Sequence, residues 1–182
     1  MALHSAAYER KRMRLIAREV VGPDVLDIGY ASPPNPHLRA FRTVGLDRRT
    51  PREPSGYAEE IQCDAKDMAL PLAGRRFNSI VLGEFIEHLE APYAFLRGLH
   101  PFLADGGRVI LSTPNPLGFP VLLCEILRLK RFYREPGHHY MFLPRWMERM
   151  LNLTGFVLEA IRSVGLQLVF VVPPCPKFLS YQ

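Results

Sequence analysis

FNSIVLGEFIEHL, residues 77–89, runs an apolar strand directly into three metal-capable side chains. Ile80, Val81 and Leu82 form an uninterrupted aliphatic run, the pattern of a strand buried on both faces inside a parallel sheet. Gly83 lets the chain turn, and Glu84, Glu87 and His88 follow. A helix starting at or just before Glu84 would bring these three groups to one face through the i, i+3 and i, i+4 offsets. They would then stand at the carboxyl end of a central strand, where open α/β sheets bind their ligands.

Working outward, the flanking segments supply the other strands of such a sheet. Upstream, Val25-Leu26-Asp27-Ile28-Gly29 is a short apolar strand with an acid near its end and then a glycine, which suits a backbone that must pass close to a ligand. Thr43-Val44-Gly45-Leu46 is a second strand, and it ends in Asp47, 20 residues after Asp27. An acid at that spacing can accept both hydroxyls of a ribose; the alternative is a turn or helix-cap aspartate. Glu60-Ile61-Gln62-Cys63 reads as a third strand, followed by Asp64-Ala65. Downstream of the opening stretch, Ala91–Leu103 reads as a helix starting near Pro92, Asp105-Gly106-Gly107 as a turn, and Arg108–Ser112 as the fifth strand.

The ends of the chain are less regular. Tyr8–Val21 is an amphipathic helix whose charge run reads as a solvated face, and Gly22-Pro23 stops it. Gly118–Arg134 is an almost all-round apolar helix with a basic tail, open to four readings: a helix on the core, a lid, a homodimer surface, or an interfacial membrane contact. Leu143–Asn152 is a further helix. Phe156–Val164 and Leu166–Val172 are two β-rich runs joined at Gly165, as in a closing antiparallel hairpin.

Composition narrows the class. A chain of 182 residues suits one domain, 1–182, with a full-sized core. Hydrophobic residues at 48% and charged residues at 23% exclude a disordered or fibrous chain. No run reaches the ~18 apolar residues of a membrane span. Cys63, Cys124 and Cys175 form no CxxC pair and are odd in number, which favours a reducing cytoplasm over a disulfide framework. The net charge of +5 permits an anionic partner such as RNA, but the basic residues are scattered outside 9–18 and 128–134, so a solubility role comes first.

In order and spacing, VLDIG, VGLD, CDA, FNSIVLGEFIEHL, FLADGGRVILSTPNP and HHYMFLPRWMERMLNLTGF resemble the class I S-adenosylmethionine-dependent methyltransferases from Val25 onward. That resemblance implies an α/β, Rossmann-like, seven-stranded and mostly parallel sheet flanked by helices, with a C-terminal antiparallel hairpin. It implies S-adenosylmethionine across the strand ends. Asp27, Gly29 and the Tyr30-Ala31 backbone would meet its methionine part, Asp47 its ribose, Asp64 and Ala65 its adenine, and Glu84 would sit beside the sulfonium. The family's glycines after the first strand are replaced here by Tyr30, Ala31, Ser32, Pro33 and Pro34, which implies a reshaped loop and a short or missing first helix.

Within that family, Glu-x-x-Glu-His resembles metal-dependent O-methyltransferases of ubiquinone biosynthesis and of small-RNA 3′ ends. Glu84, Glu87 and His88, with His138 or His139, are therefore metal candidates for Mg²⁺, Mn²⁺ or Zn²⁺. Glu84, His88 and His139 are the catalytic candidates, and a histidine without metal could serve as general base. The expected activity is O-methylation of a small-molecule or glycan hydroxyl. The alternatives are a non-catalytic binding subunit of the same fold, or an RNA 2′-O-methyltransferase.

Overall fold

The computed structural model describes residues 6–128, 137–165 and 167–175. In chain order the elements are α1 (Ala6–Glu19), β1 (Asp24–Ile28), β2 (Arg42–Asp47), β3 (Glu59–Gln62), β4 (Phe77–Gly83), α2 (Pro92–Arg97), β5 (Leu103–Pro114), α3 (Phe119–Ile126), α4 (Pro144–Leu153), β6 (Ala160–Val164) and β7 (Gln167–Val172). The seven strands form one sheet in the order β3-β2-β1-β4-β5-β7-β6. β1, β2, β3, β4 and β5 pair in parallel, while β7 pairs antiparallel with both β5 and β6. The Rossmann-like sheet and its terminal hairpin are thus as expected. Leu166 and the 129–134 tail of the helical insert lie outside the described residues.

Side-chain parity divides the core between the two faces of the sheet. Leu26, Ile28, Ile80, Leu82, Val109, Leu111, Leu168 and Phe170 point to one face, where Leu96 of α2 and Met147, Met150 and Leu151 of α4 cover them. Val25, Val81, Ile110 and Val169 point to the other, under Ile16 of α1. Asp27 lies two residues beyond Val25, so strand alternation sends it to the α1 face. There it is 4% exposed, at the edge of the apolar patch.

Three local departures have physical causes. The helix expected over Ala91–Leu103 is broken: α2 stops at Arg97, and a 3-10 turn, His100–Phe102, follows with Pro101 as its early residue. The residue before a proline disfavours the α conformation, so α2 cannot run on through His100. The turn expected at Asp105–Gly107 lies inside β5, where the register shifts between the pairs Phe77–Leu103 and Ser79–Arg108 and Gly106 takes φ 72°. The crossover from β1 to β2 carries only a 3-10 turn, Pro36–Ala40, in line with the missing first helix. Among the described residues no helix is long and apolar enough to cross a membrane.

Candidate active site

The carboxyl ends of β1, β2 and β4 open into one cleft of about 1110 Å³, lined by Asp27, Gly29, Tyr30, Asp47, Asp64, Ala65, Glu84, His88, His138 and His139 among others. Nearly every residue singled out from sequence therefore reaches one cavity, despite separations of more than 100 positions. Two do not line it. Ala31 is buried and donates its amide to Asp47 Oδ2 at 3.2 Å. Glu87 is fully buried.

The floor of the cleft depends on close approaches. Gly29 takes φ 79°, and a Cβ there would lie 2.5 Å from the ring of Phe85, so the site admits no side chain. A Cβ at Gly45 would come within 2.9 Å of the Tyr30 ring, so the bare glycine in β2 makes the room that this aromatic side chain occupies. Asp47, at the end of β2, accepts from the amides of Ala31 and Arg49 and so fixes the loops on either side of it. Asp64 caps the short turn Ala65–Asp67 by accepting from the Lys66 amide.

No helix begins at Glu84. Its φ is 52°, and its amide donates across the sheet to the Ser112 carbonyl at 3.1 Å, which holds it at the end of the strand. The chain then makes a single 3-10 turn, Ile86–His88. The one-face helical stack of Glu84, Glu87 and His88 is therefore absent, and a different group takes its place. Donor atoms of Glu87, His88 and His138 all lie within 4.8 Å of one another. The rings of His88 and His138 meet edge-on at 4.6 Å, and His88 Nδ1 donates to the Gly137 carbonyl at 2.8 Å. A carbonyl only accepts, so this bond assigns the proton to Nδ1 and leaves the Nε2 lone pair of the neutral ring available. Glu84 and His139 stand outside the group of three. The His139 amide donates to the Glu87 carbonyl at 2.8 Å, which ties the segment carrying His138 to the turn.

Burial, then the charge of Glu84, push the Glu87 carboxyl well above its usual range. The Thr113 hydroxyl is near enough to oppose the shift, yet neither carboxylate oxygen of Glu87 has a hydrogen-bond partner of proper geometry. Burial likewise pushes Asp27 up to about 7, against a hydrogen bond from Tyr57 and the charge of Arg12.

Arg12 and Tyr57 are the residues that sequence inspection passes over. Arg12 is 6% exposed and lines the cleft, with one guanidinium nitrogen donating to Ser112 Oγ at 3.0 Å and its Nε without a partner. The available signal was a cation one turn before Ile16, on the buried stripe of α1 that also includes Met13. His100, by contrast, is structural: its Nε2 donates to the Thr154 carbonyl at 2.8 Å and its ring stacks on Phe156 at 4.3 Å.

This sheet order, with β7 inserted antiparallel beside β5 and a cleft over the carboxyl ends of β1, β2 and β4, defines a class. The chain belongs to the methyltransferase domain family, whose model matches residues 3–161. It is 28% identical over 103 residues to a ubiquinone biosynthesis O-methyltransferase of Xanthomonas axonopodis pv. citri (strain 306), a match covering 54% of this chain and 43% of that protein. The chain thus spans less than half the length of that curated relative. Its fold is similar to a SAM dependent methyltransferase from Archaeoglobus fulgidus, with TM-score 0.69, 17% identity, and 92% and 94% of the two chains covered. It is also similar to a 1,6-didemethyltoxoflavin-N1-methyltransferase from Burkholderia thailandensis with bound 1,6-didemethyltoxoflavin and S-adenosylhomocysteine, with TM-score 0.65, 16% identity, and 96% and 92% covered. At those identities the likeness is one of fold.

Proposed function

We propose that the chain is an S-adenosylmethionine-dependent methyltransferase that acts on a hydroxyl of a small molecule or sugar. The observation that carries this reading is the placement of Asp27, Asp47 and Asp64 at the carboxyl ends of three neighbouring parallel strands, all lining one cleft large enough for a cofactor and an acceptor. Asp47 would accept the two ribose hydroxyls, and Asp64 with the Ala65 backbone would meet the adenine. Asp27 would face the ammonium of the methionine part, and the unpartnered Arg12 Nε gives the cofactor carboxylate a cationic neighbour. S-adenosylmethionine supplies an electrophilic methyl group on a sulfonium. Where no metal is held, His88 or His139, both at the cleft, takes the hydroxyl proton in this proposal. All three cysteines are free thiols, which supports a reducing, cytoplasmic setting.

Calorimetry with S-adenosylhomocysteine tests the base of this reading. Binding in the micromolar range is expected, and folded protein that gives no heat at millimolar ligand would refute it.

Divalent metal is a finer part of the proposal. An orphaned buried carboxylate beside two imidazoles fits a cation such as Mn²⁺ or Mg²⁺, with Glu87, His88 and His138 holding it. There it would lower the pKa of an acceptor hydroxyl. Glu87→Gln keeps the shape and removes the charge, so Mn²⁺ affinity read by electron paramagnetic resonance is expected to fall at least about tenfold, while His139→Ala changes it little. Equal losses in the two variants, or none in either, would discard this ligand set.

A further inference from the structure

Beside Asp27 stands a set of polar contacts that the proposed chemistry does not use. Tyr57, in the loop between β2 and β3, donates its hydroxyl to Asp27 Oδ2 at 2.7 Å. The phenol oxygen in turn accepts from the Asn35 amide at 3.0 Å. Asn35 is 6% exposed and donates its side-chain amide to the Met13 carbonyl of α1 at 3.0 Å. The Tyr57 ring packs on Tyr30 with centroids 5.5 Å apart. The Tyr57 amide donates to the hydroxyl of fully buried Ser55, which itself donates to Glu60. Tyr57 itself does not line the cleft, but three of the residues it touches, Asp27, Asn35 and Tyr30, do.

We propose that Tyr57 is a positioning residue that holds Asp27 in its anionic form and aims it at the cofactor ammonium, thereby setting the pH range over which cofactor binds. This role rests on the cofactor reading of the cleft. A buried carboxylate keeps its charge only with help from its neighbours. Around Asp27 those neighbours are Arg12 of α1 and Tyr57, which favour the charge, and Asp47 of β2, which opposes it. Glu60 of β3 acts one step removed, on Tyr30. Arg12 also serves Ser112 and stands near Glu9, so the Tyr57 hydroxyl is the direct hydrogen bond to the Asp27 side chain among the described residues. The loop that replaces the family's glycines thus has its acid steadied by a phenol from the next crossover.

The experiment is S-adenosylhomocysteine affinity by calorimetry from pH 5.5 to 9, on wild-type protein and on Tyr57→Phe. Wild-type affinity is expected to rise with pH about a midpoint near 7. In Tyr57→Phe the midpoint is expected to move up by about one unit, with affinity at pH 9 within about threefold of wild type. A uniform loss at every pH, with the midpoint unmoved, would mean that Tyr57 is merely structural and would overturn the inference alone. Wild-type protein that binds at no pH would overturn the cofactor reading and this inference together. Should Tyr57→Phe fail to fold, fluorotyrosine placed at position 57 strengthens the donor and must move the midpoint down; an unmoved midpoint there also overturns the inference.

Discussion

Asp47→Ala is expected to weaken S-adenosylhomocysteine binding by about a hundredfold. A carboxylate that accepts two ribose hydroxyls makes two charge-assisted hydrogen bonds of about 1.5–3 kcal/mol each, and the lower end already sums to about 3 kcal/mol. Without ligand the same carboxylate accepts from the amides of Ala31 and Arg49, so the variant also releases the loops that border the cleft. Asp47 is part-exposed, and those amides can turn to water, so the cost to stability stays small beside the cost to affinity. Calorimetry separates the two from a melting curve. An affinity within threefold of wild type would remove Asp47 from the cofactor site.

Asp27→Asn should act in opposite directions on stability and on binding. The folded pKa of Asp27, about 7, lies above its ordinary 3.8, so between those values the folded state holds a proton that the unfolded state has lost. Stability contributed by this site therefore falls as pH rises through that window, and the full cost is present above it. At 1.36 kcal/mol per unit, a shift of about three units sets a ceiling of about 4 kcal/mol. Asparagine is neutral, nearly the same shape, and can still accept from Tyr57. The ligand-free variant should be more stable than wild type at pH 8 by about 2–4 kcal/mol and nearly equal to it at pH 4. Its S-adenosylhomocysteine affinity should fall by at least about tenfold, because an amide cannot balance an ammonium. Urea titrations at both pH values decide the matter; a stability difference that does not change with pH would contradict the expected sign.

The strands were legible because parallel strands buried on both faces carry aliphatic runs with no competing helical period. Thr43–Leu46 and Ile80–Leu82 sit inside the observed β2 and β4, and Asp27, Asp47 and Asp64 all reach the cleft expected of them. What was not legible depends on partners far away in sequence. Arg12 joins the site through Ser112, 100 positions on, and Tyr57 meets Asp27 across 30. The missing helix at Glu84 has the same origin. The segment carries helix-compatible spacing, but its first amide is taken by β5, and a non-glycine residue is left at positive φ at a cost of about 1–2 kcal/mol. Local pattern carries no record of that bond.

The position of β7 bears on how such a chain comes off the ribosome. β7 follows β6 in sequence yet lies between β5 and β6, and it forms the outer edge of β5 along Val109–Pro114. Until residues 167–172 have emerged, the longest strand of the sheet presents an unpaired, strongly apolar border, and β6 has no place to dock. A nascent chain paused before that point would be complete in its cleft-forming strands and still be prone to pair with a neighbour through β5.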